Sequence, residues 1–234
     1  MQQYFAKNKN LDLEDGDYHH IKNVMKMKRG DLIKVVYDKI IYTCKLNNVS
    51  NKSTFDIINK EEKTDKKLSV SVAFSLIKEQ KLNYLLQKTT ELGVNKLIPI
   101  ETKRSVVKIE GNKEKTKIDR WKKICKEASE QSFRADIPEI SGILTLKNLV
   151  NLDYDLKLVC SLNKNTKNIK KILEKNNKCV KILLVVGPEG GFDPLEEEYL
   201  LENGFKSVSL GENVLRAETA PVAALSMINY EFMR

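Results

Sequence analysis

The pattern of apolar positions changes character once along the chain. Residues 2–6, 32–37, 40–46 and 54–58 are short runs of alternating or β-branched character and predict strands. Residues 17–26 predict a short helix capped by Asp17, and Arg29-Gly30-Asp31 predicts a turn. Short strands at this spacing suggest a small barrel. The run Lys60–Lys67 has no apolar periodicity and reads as a solvated boundary, dividing residues 1–66 from 67–234.

Beyond it, strands alternate with helices, the signature of an α/β domain. Strands are predicted at 68–74, 96–100, 156–161, 180–186 and 206–210. Helices are predicted at 79–92, 113–133, 168–175, 194–203 and 220–232. Residues 180–186 are apolar apart from Lys181, as befits the centre of a parallel sheet with both faces covered.

Lys and Arg exceed Asp and Glu by 41 − 32 = 9, a balance suited to an anionic partner such as RNA. The lysines are scattered over every segment, so compositional drift explains the charge equally well. Arginine is scarce, confined to positions 29, 104, 120, 134, 216 and 234, and its planar fork binds carboxylates, phosphates and base edges in ways lysine does not. No run approaches the ~20 apolar residues of a membrane span. Met1–Phe5 shows no cationic segment leading into an apolar core, so a cytoplasmic protein is expected. Cys44, Cys125, Cys160 and Cys179 are widely separated, and His19 and His20 are the two histidines, so no metal site is expected. The histidines are adjacent and diverge on a helix; one faces RNA, or both pack locally.

Two glycine turns carry the chemistry. The apolar strand at 180–186 runs into Gly187-Pro188-Glu189-Gly190-Gly191, at the strand end where open α/β sheets bind ligands. No phosphate-loop pattern is present. The next helix opens with Asp193 as cap, Pro194 in its first position and Glu196 completing a capping box. A helix N-terminus already neutralised by carboxylates is a poor anion site and suits a neutral or cationic ligand. S-adenosylmethionine, a sulfonium without phosphate, fits that requirement; a plain tight turn is the bland alternative. The second turn is Leu210-Gly211, continuing through Leu215-Arg216-Ala217-Glu218-Thr219-Ala220 into a small, apolar helix. Arg216 and Glu218 stand at its mouth as site groups or as a surface ion pair.

A third feature lies on the long helix. At ~100° per residue, Arg120, Glu127, Gln131 and Arg134 fall on one stripe. Trp121, Ile124, Cys125, Ala128 and Ser132 adjoin it on the inward side, with Lys122, Lys123 and Lys126 towards water. Polar groups bordering a buried face need partners, from a bound nucleotide or from an internal network.

At these residues the sequence resembles the RsmE family, the 16S ribosomal RNA uracil-N3 methyltransferases of the SPOUT class. The likeness spans essentially the whole chain. It rests on Leu86–Val94 (LQKTTELGV), Lys103–Val107 (KRSVV), Glu127–Gln131 (EASEQ), Arg134 with Ile137–Ile140, and the two glycine turns. It implies a PUA-like β-barrel that helps hold RNA, then an α/β SPOUT domain with a parallel sheet whose last segments form a trefoil knot. It also implies a homodimer, S-adenosylmethionine as cofactor, and one uridine of small-subunit 16S ribosomal RNA as target. The implied cofactor residues are Gly187, Pro188, Glu189, Gly190, Gly191, Leu210, Gly211, Leu215, Thr219 and Ala220. RNA contacts are expected from Lys26, Arg29, Arg120, Gln131 and Arg134. Three departures stand out: Lys26 in place of a family arginine, Phe133 where the family has glycine, and Lys103 where glutamate often precedes the arginine.

Uracil N3 carries a proton and becomes nucleophilic only when that proton leaves. Arg104 and Arg216 are the candidates to meet the resulting anion or an adjoining phosphate, and Glu127 or Glu218 to take the proton. Two other readings remain: an RNA-binding protein that kept the fold without catalysis, and an enzyme of nucleotide phosphates.

Overall fold

The computed structural model describes residues 1–63, 68–163 and 166–233. The chain divides into two units, Met1–Asp65 with Lys126–Ile137, and Lys66–Cys125 with Pro138–Arg234. The expected boundary between residues 66 and 67 lies outside the described residues.

The first unit contains β1 (Gln2–Phe5), α1 (Asp15–His19), a π-helical turn (His20–Val24), β2 (Leu32–Tyr37), β3 (Ile40–Asn48) and β4 (Thr54–Glu62). They form a four-stranded sheet in the order β1-β2-β3-β4, with β1 parallel to β2 and the other pairs antiparallel. Side chains alternate across a strand, so Ile33 and Val35 of β2 join Tyr4, Cys44 and Leu46 on one face. There they pack with Leu13, Tyr18 and Ile21.

Two expectations need correction. β4 runs on to Glu62, pairing with Ile40, so Lys60–Glu62 belong to a strand rather than a linker. Nearly every residue of that edge strand is exposed, which erases the alternation that would have marked it. Glu14, not Asp17, is the cap of α1; Asp17 is its third residue, and its carboxylate accepts the Glu14 backbone N–H at 3.2 Å. Both histidines bond locally, His20 Nδ1 with the Tyr4 hydroxyl and His19 Nδ1 with Asn23, each at 2.9 Å.

The segment Lys126–Ile137 contributes a half-buried charge cluster to this unit. Lys126 does not face water: its Nζ lies 2.9 Å from Glu14, 3.1 Å from Asp17 and 3.7 Å from Glu130. Burial opposes its charge, but these carboxylates hold the ammonium above its ordinary pKa. Burial pushes the Glu130 carboxyl up to about 7, with Asp17 adding to the rise and Lys126 opposing it.

The second unit contains β5 (Ser69–Ser75), α2 (Glu79–Glu91), β6 (Lys96–Ile100), α3 (Gly111–Gln131), β7 (Glu139–Ile140) and α4 (Leu146–Val150). There follow β8 (Leu156–Cys160), β9 (Lys167–Asn168), α5 (Ile169–Lys175), β10 (Lys181–Val186), α6 (Pro194–Glu202), β11 (Lys206–Ser209) and α7 (Ala220–Phe232). The last turn and a half of α3 is counted with the first unit. All seven strands run parallel, in the order β7-β6-β5-β10-β8-β11-β9. The later strands insert out of chain order, β10 between β5 and β8, and β11 between β8 and β9.

The sheet is covered on both faces, which explains the unbroken apolar run Ile182–Val186 of β10. Ile182, Leu184 and Val186 face a core with Leu82, Leu85, Trp121, Ile172, Leu225 and Ile228. Leu183 and Val185 face the opposite core, with Leu149, Leu200 and Phe205. Among the described residues, no helix is long and apolar enough to cross a membrane.

Candidate functional site

The strands β8, β10 and β11 end side by side, and the chain leaving each carboxyl end lines one cavity of about 510 Å³. That volume lies in the ~300–1,000 Å³ range of small-molecule sites. From β10 come Gly187–Phe192; from β11, Leu210, Gly211 and Asn213–Ala217, with Ala220 of α7; from β8, Ser161–Asn163. Thus nine of the ten expected cofactor residues meet around one space, while Thr219, the cap of α7, is not among its lining residues.

The first turn is built for close approach. A Cβ on Gly187 would stand 3.1 Å from the Phe192 ring and 3.3 Å from its backbone nitrogen, so a side chain there presses Phe192 out of place by a few tenths of an ångström. Gly191 adopts φ +67° while its N–H donates to the Pro188 carbonyl at 2.9 Å, a left-handed conformation that glycine takes without penalty.

The helix that follows is sealed against anions. Asp193 accepts from the Leu195 N–H at 3.2 Å, and Glu196 Oε2 accepts from the Asp193 N–H at 3.2 Å, completing the capping box. Glu196 Oε1 also accepts the Lys103 backbone N–H at 2.8 Å, and Lys103 Nζ lies 3.2 Å from Asp193. Its bond to Lys103 holds the Asp193 carboxyl below its ordinary range. Lys103, a departure from the family pattern, is therefore a support for the cap.

Arg104 lines the cavity and donates from Nη1 to the Gly190 carbonyl at 3.0 Å, which ties the β6–α3 loop to the first turn. Arg216 lines it too, exposed, its guanidinium without a partner among the described residues. Glu218 is 8% exposed, and its Oε2 accepts no hydrogen bond among those residues; the nearest ammonium is Lys81, 4.0 Å away. Lys81 also pairs with Glu189 at 3.1 Å, so one ammonium stands between carboxylates of both glycine turns. Leaving a buried carboxylate oxygen without a donor is costly; Glu218 adjoins Ala217 and Ala220 of the cavity wall but, unlike Arg216, is not itself among the lining residues. Ser161 donates to Glu197 in the cavity wall, and burial pushes the Cys160 thiol behind it up to about 12.

The helix stripe does not hold together as a site. Arg120 is paired with Glu79 of α2. Glu127 and Gln131 are exposed and belong to the first unit, outside the cavity wall. The Arg134 side chain is 9% exposed and donates to Asp136 at 2.9 Å, bracing its own turn. Lys26 and Arg29 are exposed in the first unit. Sequence reasoning missed Lys81, Ser161, Asn163 and Glu197. Strand order alone brings the β8 end beside the two turns, and a lysine opening a helix in a lysine-rich chain carries no distinguishing signal.

Comparison with known proteins places this geometry. Residues 64–229 match the model of the RNA methyltransferase domain, and residues 13–58 that of the RNA methyltransferase PUA domain. The ribosomal RNA small subunit methyltransferase E of Bacillus subtilis is 35% identical over 249 residues, covering 99% of this chain and 97% of its own. The protein of the same name from Mesomycoplasma hyopneumoniae is 34% identical over 211 residues, covering 89% of this chain and 88% of its own. A crystal structure of ribosomal RNA small subunit methyltransferase E from Neisseria gonorrhoeae, bound to S-adenosyl methionine, superposes with a TM-score of 0.88. It is 26% identical and covers 98% of this chain and 97% of its own.

Proposed function

Because this chain belongs to the ribosomal RNA small subunit methyltransferase E family, we propose that it transfers a methyl group from S-adenosylmethionine to N3 of one uridine in 16S ribosomal RNA of the small subunit. The observation that carries this reading is the meeting of both glycine turns around one cavity beside a helix end already neutralised by Asp193 and Glu196. Such a cavity disfavours phosphate and accepts a cation.

When bound, S-adenosylmethionine supplies a methyl group on a sulfonium, open to in-line attack. The chain's residues do the rest. The turns Gly187–Gly191 and Leu210–Ala220 hold the cofactor, and the apolar wall excludes water from the reacting atoms. Arg216, exposed at the mouth, meets the negative charge spread over the uracil oxygens or a neighbouring phosphate. Arg104 shares that role while keeping the first turn in place. Glu218, beside the cavity, takes the N3 proton; Glu127, in the other unit, is the weaker assignment.

Residues 1–66 serve as the PUA-like RNA-holding domain and residues 67–234 as the SPOUT catalytic domain. Lys26, Arg29, Arg120 and Gln131 are the exposed groups available to RNA. The enzyme works as a homodimer in the cytoplasm, and the out-of-order insertion of β10 and β11 supports a knotted C-terminal segment.

Thermal unfolding with added ligand tests the cofactor assignment. S-adenosylhomocysteine is expected to raise Tm by several degrees at 100-fold excess over Kd, from a linkage of about 2.7 kcal/mol. ATP and GTP are expected to leave it unchanged. Stabilisation by ATP alone overturns the assignment in favour of a nucleotide-phosphate enzyme.

A further inference from the structure

Phe133 occupies a backbone position that suits it badly. At the end of α3 its N–H donates to the Glu130 carbonyl at 3.3 Å, and the Arg134 N–H donates to the Ser129 carbonyl at 3.0 Å. This pair of bonds closes a helix through a residue in the left-handed region, where glycine is usual. Phe133 takes φ +55° to make it. Nor does burial compensate fully, since the side chain remains 46% exposed. A bulky residue held in a disfavoured conformation and left half in water calls for a role outside the fold's own packing.

The surroundings say what kind. Lys34 Nζ sits over the ring, 5.1 Å from its centroid. Lys34 helps hold down the pKa of the Glu61 carboxylate, which is itself paired with Lys63. Gln131, exposed, lies two residues before the ring and offers an amide that both donates and accepts. All these groups belong to the first unit.

We propose that the Phe133 ring, backed by Lys34 and flanked by Gln131, is a stacking platform for one unpaired base of the RNA substrate. A planar base matches an exposed π-face, and stacking tolerates any base because each has such a face. The Lys34 ammonium favours a partner that brings a phosphate with it, which an apolar protein segment does not. Single-stranded RNA is where such bases are free. The proposal deepens the ribosomal RNA reading and rests on it for the identity of the RNA.

The test uses a single-stranded oligoribonucleotide carrying 2-aminopurine, whose fluorescence is quenched by stacking. Binding is measured for the full-length parent, Phe133→Leu, Phe133→Trp and Phe133→Asn. Leucine keeps apolar bulk without a π-face, and asparagine tolerates the left-handed backbone without a ring. The parent and Phe133→Trp are expected to quench the probe. Phe133→Leu and Phe133→Asn are expected to bind about tenfold more weakly, within the range typical of base stacking, and without quenching. All four are expected to bind S-adenosylhomocysteine alike. Parental affinity and quenching in either ringless variant overturns the platform. Methylation of small subunits by the parent, assayed in parallel, separates failure of the platform from failure of the ribosomal RNA reading.

Discussion

Among the glycines of the proposed cofactor site, Gly187 leaves the least room for a side chain. Its missing Cβ leaves room for Phe192, whose ring and backbone nitrogen both lie within 3.3 Å of where a Cβ would stand. In Gly187→Ala, Phe192 must therefore give way by a few tenths of an ångström within the turn. We expect it to raise the Kd for S-adenosylhomocysteine about tenfold, roughly 1.4 kcal/mol, with an unchanged circular dichroism spectrum. Parental affinity in a calorimetric titration contradicts the close-approach argument. The glycine turns were readable in sequence because glycines at the carboxyl end of a buried strand open the backbone to a ligand where α/β sheets bind one. Lys81 was not, because its place between Glu189 and Glu218 depends on α2 packing near both turns. The scarcity of arginine signalled a specific partner for Arg134, and one bond it makes is to Asp136, two residues away.

At the scale of elements, α6 shows how a helix end selects a ligand. Asp193 and Glu196 satisfy its first N–H groups and place negative charge where an anion would otherwise bind. Asp193→Ala removes the cap and the Lys103 pair together. It is expected to lower the urea midpoint at constant m, nearly all through the lost cap because the ion pair is exposed. No change in midpoint contradicts the capping account. Caps and periodicity also explain which elements were legible. β2, β6 and α7 begin and end where their patterns do. The two-residue strands β7 and β9 and the five-residue α4 are too short to carry a period. β4 carries one that exposure conceals, so its charged end resembled a linker.

For the whole molecule, strand order does what local pattern does not reveal. Sequence periodicity marks five strands of an α/β domain but says nothing of β10 lying between β5 and β8. That insertion sets the ends of β8, β10 and β11 together and creates the cavity. The central claim is that this cavity and its neighbouring groups methylate a ribosomal uracil. Its most direct test is incubation of small ribosomal subunits lacking the modification with isotopically labelled S-adenosylmethionine, followed by nuclease digestion and mass mapping. The account predicts one labelled methyl group, on N3 of a single unpaired uridine of 16S ribosomal RNA, and its loss in Arg216→Ala. No incorporation by the parent enzyme, or label on a ribose or on another base, contradicts it.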